Sequence, residues 1–272
     1  MSNVELDYAD FHIHSRVSKD GESSIWDIVN RGVGEGLKYL GLSDHNSIEG
    51  LTAFIDAISR MQNQGIIIFP IAGCEFTAVG RNENMGHLLA GKAIDSSVSD
   101  DVKKEWLRFL AREVEAIKGD GKFPQLMDLI KKISDHGGFA VVTHPMFWGI
   151  KSFGDETIRS LSDTVDDNLR RVIALEARNF LTQIQPAPIN LRREEKVRQF
   201  ADLYGFAVTG GSDAHNARDI GRVRTTLPQG VLFQRAFEGR EVRPMIMSPM
   251  GWVERMGHVR KFGGHIFQRG LD

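Results

Sequence analysis

Short apolar runs recur along the chain, and segments with helical spacing separate them. In residues 47–63, for example, Ile48, Leu51, Phe54, Ile55 and Ile58 fall three or four positions apart, as on one face of a helix. The runs themselves are apolar at successive positions, so the strands that they form are buried on both faces. This pattern predicts an α/β fold with a parallel sheet, open or closed into a barrel, and helices outside it. The runs are 6–13, 39–43, 66–76, 85–90, 139–143, 172–175 and 207–210.

Six of these runs end in side chains of the types that bind metals. His12 and His14 share one face if the first run is a strand, because alternate side chains of a strand point the same way. The carboxyl ends of parallel strands meet at one face of the fold, so we expect the residues at the strand ends to converge there. They are His12 and His14, Asp44 with His45, Glu75, His144, Glu176, and Asp213 with His215.

The chemistry of this set points to more than one metal ion. Imidazole and carboxylate without thiolate suit Zn, Mn or Fe, and a larger share of carboxylates favours Mn and Mg. More than four candidate ligands imply a multinuclear site. Such sites are typical of phosphoester hydrolysis, where two ions activate a water molecule and neutralise the attacked phosphoryl group.

Composition sets the remaining limits. The 272 residues are 41% hydrophobic and 26% charged, with a formal net charge of -2, so the chain lacks the basic excess of a dedicated nucleic-acid binder. A single cysteine, Cys74, forms no internal disulfide, which agrees with a reducing compartment. Residues 1–5 lack the basic and apolar regions of a signal peptide, and the apolar runs are too short to cross a bilayer. We therefore expect a cytoplasmic location and no membrane partner.

Six motifs resemble, in family order, those of the PHP (polymerase and histidinol phosphatase) metal-dependent phosphoesterases. The similarity runs from about residue 9 to residue 225. A single His-x-His or Ser-Asp-His motif is weak evidence, whereas six motifs in register are strong evidence. They are DFHIHS at 10–15, GLSDHN at 41–46, GCE at 73–75, GHLL at 86–89, VTHP at 142–145 and GSDAH at 211–215.

The resemblance implies a distorted (β/α)7 barrel of the PHP type that carries two or three divalent ions, with Mn, Zn or Fe as the candidates and Mg as a further one. By similarity, one ion takes His12, His14, Glu75 and Asp213. A second takes Glu75, acting as a bridge, with His87 and His144. The third takes Asp20, His45 and His215. Each expected ligand position carries a suitable residue.

The domain organisation is predicted from this resemblance and from the sequence pattern. Residues 1–244 are predicted to form the phosphoesterase domain, with a helical insertion at about 95–137 that is broken near Gly119 and Gly121. Residues 245–272 are predicted to form a C-terminal tail that lacks a clear period. Its basic side chains are candidates for contact with phosphates or with a second subunit in an oligomer, the alternative being a solvated, partly packed extension.

Several roles are predicted for single residues. Glu75, Asp213 and His215 are the expected catalytic residues, with Glu75 holding two ions between which a hydroxide is activated. Asp44 either orients a neighbouring histidine or is a solvated loop acid or a helix cap.

Arg178 and Asn179, just after the run 172–175, are candidates for binding substrate, the alternative being an ion pair and a turn at the barrel rim. Arg222 and Arg224, which follow the loop of Asp213 and His215, are further candidates, the alternative being solvated side chains.

The leading functional prediction is a metal-dependent phosphoesterase that hydrolyses a small phosphomonoester or a nucleotide. An exonuclease or phosphodiesterase acting on short oligonucleotides is the nearest alternative, and only the basic tail favours it. An amidohydrolase-type C–N hydrolase also begins with His-x-His, but that type needs a bridging lysine where this chain has Glu75. The third alternative is a non-catalytic, metal-stabilised module, whose ligand set is often eroded.

Overall fold

One curved sheet of nine strands runs through the part of the chain that the computed structural model describes, which comprises residues 5–147, 150–184 and 186–251. The strands are β1 (Leu6–Asp10), β2 (Tyr39–Leu42), β3 (Phe69–Val79), β4 (Met85–Ala93), β5 (Phe139–Val142), β6 (Ile173–Asn179), β7 (Ala207–Gly211), β8 (Val223–Pro228) and β9 (Arg243–Ile246). The α-helices are α1 (Ile25–Gly34), α2 (Leu51–Asn63), α3 (Asp100–Asp120), α4 (Leu126–Asp135), α5 (Asp155–Thr164), α6 (Asp167–Arg171), α7 (Ala187–Tyr204) and α8 (Phe233–Glu238). Short 3-10 helices cover Arg81–Glu83, Leu181–Ile184 and Ala217–Asp219.

The strand order is β7-β6-β5-β4-β3-β2-β1-β8-β9. Strands β1, β2 and β3 are parallel neighbours, and so are β5, β6 and β7. Strand β4 lies between the two groups and is antiparallel to both of its neighbours. Only residues 80–84 join β3 to β4, which is too short for the crossover that parallel neighbours require. Strands β8 and β9 extend the sheet beyond β1 as a second antiparallel pair.

The two ends of the sheet approach each other between β7 and β8. The amide of Gly210 donates to Thr225 Oγ1 at 3.0 Å, and that hydroxyl donates to the carbonyl of Gly210 at 2.7 Å. A parallel bridge also joins Ile13, just after β1, to Ala214, just after β7. The sheet is therefore nearly closed, which confirms the predicted α/β barrel, although β4 and β8 run opposite to the parallel set.

Apolar side chains fill the inside of the barrel at its amino end. Phe233 and Phe237 of α8 pack against Phe139, with ring centroids 5.2 and 4.7 Å apart, and Phe233 meets Phe11 at 5.6 Å. Thr143, the residue after β5, continues the face of Phe139 by strand alternation. The inner face is thus apolar at the amino end and becomes polar at the carboxyl end of the strands.

Helices α3 and α4 occupy the segment predicted as an insertion. Ser99 caps α3 by accepting a hydrogen bond from the amide of Val102, and the helix ends at Gly121, which has a left-handed conformation with φ 62°. The buried Trp106 attaches the helix to the barrel, because its indole N–H donates to the carbonyl of Ala72 in β3 at 2.9 Å. No helix in the described ranges combines the length and the apolar character needed to cross a membrane. Of the predicted tail, residues 252–272 lie outside the described residues, and so does any subunit contact through them.

Candidate metal centre

Glu75 lies at the centre of a group of imidazole rings at the carboxyl end of the barrel. Its carboxylate is fully buried, and its two oxygens face different histidines. Oε1 lies 3.2 Å from His12 Nε2 and 3.5 Å from both His87 Nδ1 and His144 Nε2. Oε2 lies 3.0 Å from His45 Nδ1 and 3.4 Å from His14 Nε2. Each oxygen of Glu75 therefore lies beside a different group of histidines, and a carboxylate so placed would be available to two cations.

Two aspartates complete the cluster. Asp213 Oδ1 lies 3.2 Å from His14 Nε2 and 3.4 Å from His12 Nε2. Asp20 Oδ2 lies 3.2 Å from His215 Nε2 and 3.5 Å from His45 Nε2. The structure therefore brings together all nine side chains that the resemblance assigned to metal. Their role as ligands stays a prediction.

Four sets of three residues have ligand atoms within 4.8 Å of one another. They are His12, His14 and Asp213; His12, Glu75 and His144; His45, Glu75 and His87; and His14, His45 and His215. The sets overlap at His12, His14, His45 and Glu75, and the division of the ligands among three ions stays a prediction. Together the overlapping sets form one continuous cage.

The backbone at two of these residues is unusual. His144 has φ 34° and Asp213 has φ 51°, a region that side chains other than glycine rarely adopt. Each residue lies two positions after the last residue of a strand of the parallel set. Such conformations cost free energy and persist where the surrounding structure enforces them, as at binding sites.

Polar residues outside the ligand sets hold the cluster in place through hydrogen bonds. Thr143 donates to Glu75 Oε1 at 2.6 Å. Asp44 accepts hydrogen bonds from the amide and hydroxyl of Ser15, at 2.6 and 2.8 Å, and thereby fixes the loop after His14. These bonds reach Ser15 and not a histidine ring, so the predicted role of Asp44 in orienting a histidine stays a prediction. Glu176, which the sequence marked only as a strand-end acid, accepts from His12 Nδ1 at 2.9 Å.

Burial and mutual charge determine the protonation of the cluster. Burial and the positive charges of His45 and His215 lower the pKa of His14 to about 4. Burial also lowers the pKa of His87 to about 3, against the charge of Glu75. Burial alone would raise the pKa of Glu75, but the charges of His12 and His87 hold that pKa well below its usual value. His14 and His87 are thus neutral beside an ionised carboxylate, as metal binding requires. Burial would lower the pKa of His45, but the charge of Glu75 and the hydrogen bond to Asp20 raise it to about 10, so this histidine must lose a proton to bind a metal.

The buried donor and acceptor atoms of the cluster test whether metal ions fit. Several of these atoms have no hydrogen-bond partner within the described ranges. They are His12 Nε2, both ring nitrogens of His14, Glu75 Oε2, His87 Nδ1 and His144 Nδ1. Buried polar atoms without partners are costly and uncommon. Divalent cations that accept imidazole and carboxylate ligands would satisfy the atoms that face the cluster, so the residues fit the predicted centre.

Two residues predicted to bind substrate lie at the end of β6. The Arg178 side chain is 30% exposed, and its Nε donates to Glu194 at 3.0 Å. Asn179 is buried, and its amide group donates to Glu176 at 2.8 Å and to Asp213 at 3.1 Å. Because both of its amide protons are engaged behind the cluster, the structure gives no support to the predicted substrate contact of Asn179.

The other two arginines are held by protein groups. Arg222 donates to the carbonyls of Ser248 and Pro249 and lies over the ring of Phe180, 4.2 Å from its centroid. Arg224 is buried, donates to the carbonyl of Gly221 at 2.5 Å, and forms an ion pair with Glu35, which follows α1 directly. Arg224 therefore ties β8 to the end of α1, and its predicted contact with substrate has no support in this geometry.

Comparison with known proteins agrees with the sequence motifs. Residues 10–113 match the family model described as PHP domain, and residues 192–232 match the one described as PHP-associated. No curated protein sequence matches the chain.

Three solved structures with a similar fold are each less than 20% identical to this chain. One is a two-domain protein from Bacteroides vulgatus containing a predicted PHP-like metal-dependent phosphoesterase, with TM-score 0.55 and 19% identity. The alignment covers 89% of this chain but only 65% of that one, so this chain spans slightly less than two thirds of that protein.

Two further structures are similar over nearly their whole length. PsfC from Pseudomonas syringae has TM-score 0.56 and 18% identity, over 98% of this chain and 100% of that one. An amidohydrolase from Chromobacterium violaceum has TM-score 0.53 and 19% identity, over 88% of this chain and 97% of that one. At such identities the similarity establishes the fold alone. The two family matches, with the six motifs, show that this chain carries a PHP domain at residues 10–113 and a PHP-associated segment at residues 192–232.

Proposed function

We propose that the protein is a metal-dependent phosphoesterase that hydrolyses a small phosphomonoester or a nucleotide. One observation carries the proposal: the buried Glu75 carboxylate has imidazole nitrogens of three histidines near one oxygen and of two others near the second. A site of this kind holds neighbouring divalent cations joined by a carboxylate. Phosphoryl transfer is a reaction class that commonly uses such pairs of ions.

The cluster residues would hold two or three divalent ions, with Mn, Zn, Fe and Mg as candidates. Ions bound in such a cage supply Lewis-acid activation of water and neutralise charge on the phosphoryl group. Glu75 and Asp213 provide the negative charge that holds the cations in place. Thr143 fixes the Glu75 carboxylate by donating to Oε1. His215 Nδ1 lies 2.9 Å from the carbonyl of Asp213, which directs Nε2 towards Asp20.

Arg178 is the proposed contact to the substrate phosphate. It lies at the carboxyl end of β6, next to Asn179, and is partly exposed. Its ion pair with Glu194 uses Nε, and a guanidinium has further N–H groups for a phosphate oxygen.

The proposal is tested with metal-free protein reloaded separately with Mn, Zn, Fe or Mg. Each form is assayed for phosphate release from p-nitrophenyl phosphate and nucleoside monophosphates, and for cleavage of a dinucleotide and a phosphodiester. We expect Mn-dependent phosphate release from monoesters that Glu75→Gln abolishes. Asp95→Asn is the matched control, because Asp95 is a buried carboxylate that follows β4 at the amino end of the barrel and binds Ser97.

Three results would contradict the proposal. Phosphate release by Glu75→Gln at the wild-type rate would exclude the bridging role of Glu75. Turnover of amide or imine substrates with no phosphoester cleavage would assign the centre to C–N hydrolysis instead. Cleavage of the dinucleotide in preference to monoesters would replace the small substrate by a short nucleic acid.

A further inference from the structure

We propose that Glu176 and Asn179 act together as a positioning bracket that aims His12, His144 and Asp213 at the metal ions and so sets the metal affinity of the centre. The inference rests on the metal centre of the proposed function, but not on which substrate is hydrolysed. Neither residue is a member of the ligand sets found among the described residues. Both are buried, at 0% and 1% exposure, behind the ligands.

Glu176 holds two ligand residues with its two oxygens. Oε1 accepts from His12 Nδ1 at 2.9 Å. Oε2 accepts from the backbone amide of His144 at 2.8 Å, at the residue whose φ is 34°. A carboxylate oxygen only accepts, so His12 must carry a proton on Nδ1. That leaves His12 Nε2 to face Glu75 and Asp213 as a ligand atom.

Asn179 connects Glu176 to the third ligand. Its amide donates to Glu176 Oε2 at 2.8 Å and to Asp213 Oδ2 at 3.1 Å, while its side-chain carbonyl accepts from the amide of Thr182 at 3.2 Å. With Oδ2 engaged, Asp213 presents Oδ1 to His12 and His14. The bracket therefore points His12 Nε2 and Asp213 Oδ1 into the same space.

Local backbone structure makes room for this arrangement. The pairing of β6 with β7 shifts register between Glu176 and Arg178, as in a β-bulge that redirects the side chains beyond it. Gly211 in β7 leaves space for the side chains of Glu176 and His12. A Cβ atom at this position would lie 2.6 Å from Glu176 Oε1 and 2.6 Å from His12 Cβ.

Substitution by glutamine distinguishes the bracket from mere packing. In Glu176→Gln the new side chain would have one oxygen for two sites that both need an acceptor. The site of Oε2 receives two donors, from His144 and Asn179, so we expect the glutamine oxygen to remain there. Its NH₂ group would then face His12 and require Nδ1 as acceptor. His12 would carry its proton on Nε2, and that nitrogen would no longer bind metal.

The experiment compares wild type with Glu176→Gln, Asn179→Ala and the control Asp95→Asn. Mn²⁺ affinity is measured by calorimetric titration of metal-free protein, and metal content by mass spectrometry. We expect Glu176→Gln and Asn179→Ala to weaken Mn²⁺ binding about 10–100-fold, the usual effect of losing a partner behind a ligand. The Asp95→Asn protein should bind Mn²⁺ as wild type does.

A spectroscopic measurement identifies the cause. In zinc-loaded protein with ¹⁵N-labelled histidine, wild-type His12 should show a protonated Nδ1 and a metal-bound Nε2. The Glu176→Gln protein should lose the metal-bound signal of His12, while metal-free samples of both unfold at similar temperatures. If the glutamine variant does not fold, the Asn179→Ala titration carries the test.

The bracket is refuted if the variants bind Mn²⁺ within about twofold of wild type, or if His12 keeps its metal-bound Nε2 in Glu176→Gln. Failure of the proposed function is a separate result. Wild-type protein that binds Mn²⁺ but cleaves no phosphoester would overturn the phosphoesterase assignment and leave the bracket intact.

Discussion

The contact between Gly211 and the ligand side chains predicts the effect of a single methyl group. In Gly211→Ala the new Cβ would lie 2.6 Å from Glu176 Oε1 and 2.6 Å from His12 Cβ, where ordinary contacts begin at 3.4 Å. The neighbours must therefore move by roughly 0.8 Å, the difference between these two distances. His12 belongs to a buried strand end and Glu176 is held by three hydrogen bonds, so neither moves freely.

Two magnitudes follow. Overpacking of a filled interior costs about 1–3 kcal/mol. For a chain of this size each kcal/mol lowers the unfolding midpoint by about 2–4 °C, so we expect a decrease of about 2–12 °C. Metal–ligand distances tolerate only about 0.2 Å, so a shift of His12 by several tenths of an ångström should weaken metal binding more than it weakens the fold.

The assay combines calorimetry of the metal-free protein with Mn²⁺ titration. Gly34→Ala is the control, because Gly34 is the last residue of α1 and an added methyl meets nothing else within 4 Å in the described chain. The control should keep wild-type affinity and stability or gain slightly in helix stability. Wild-type Mn²⁺ affinity and midpoint in Gly211→Ala would refute the close packing on which this reasoning rests.

Three further results are expected. Thr143→Val removes the 2.6 Å hydrogen bond to Glu75 Oε1 and should weaken Mn²⁺ binding about tenfold or more in a titration. An unchanged Mn²⁺ affinity would show that Glu75 does not need this hydrogen bond. Removal of bound metal with a chelator should lower the midpoint of thermal unfolding, because Mn²⁺ at about 100 times its Kd stabilises the folded state by about 2.7 kcal/mol. Equal midpoints with and without Mn²⁺ would contradict a metal centre that binds Mn²⁺ only in the folded chain. Trp106→Phe removes the indole hydrogen bond to the carbonyl of Ala72 and should cost about 0.5–1.5 kcal/mol in urea unfolding. An unchanged unfolding free energy would mean that the bond does not hold α3 in place.

The parts of the centre that lie at the ends of parallel strands could be predicted from sequence. His12, Glu75, His144 and Asp213 each lie at or just after the end of an apolar run, and parallel strands bring their carboxyl ends to one face. His87 does not obey this rule, because β4 is reversed and His87 lies near its beginning. Only the resemblance to the family motifs identified it.

Residues whose roles depend on long-range packing could not be read from local pattern. Glu176 was visible as an acid after a strand, but its support of His12 depends on a register shift in β6. Arg224 follows the Asp213 loop in sequence, yet it pairs with Glu35 at the end of a distant helix. Strand β8 was missed because its sequence, VRTTLP, is polar at successive positions and lacks the apolar run that marked the other strands.

The central claim is that side chains drawn mainly from strand ends form one cage for several cations around Glu75. Anomalous diffraction from crystals of the protein loaded with Mn²⁺ tests it most directly. We predict two or three manganese peaks in the cage, with Glu75 in contact with two of them. A cage that binds no manganese in protein that is folded and saturated with Mn²⁺, or manganese found only at other places on the chain, would contradict it.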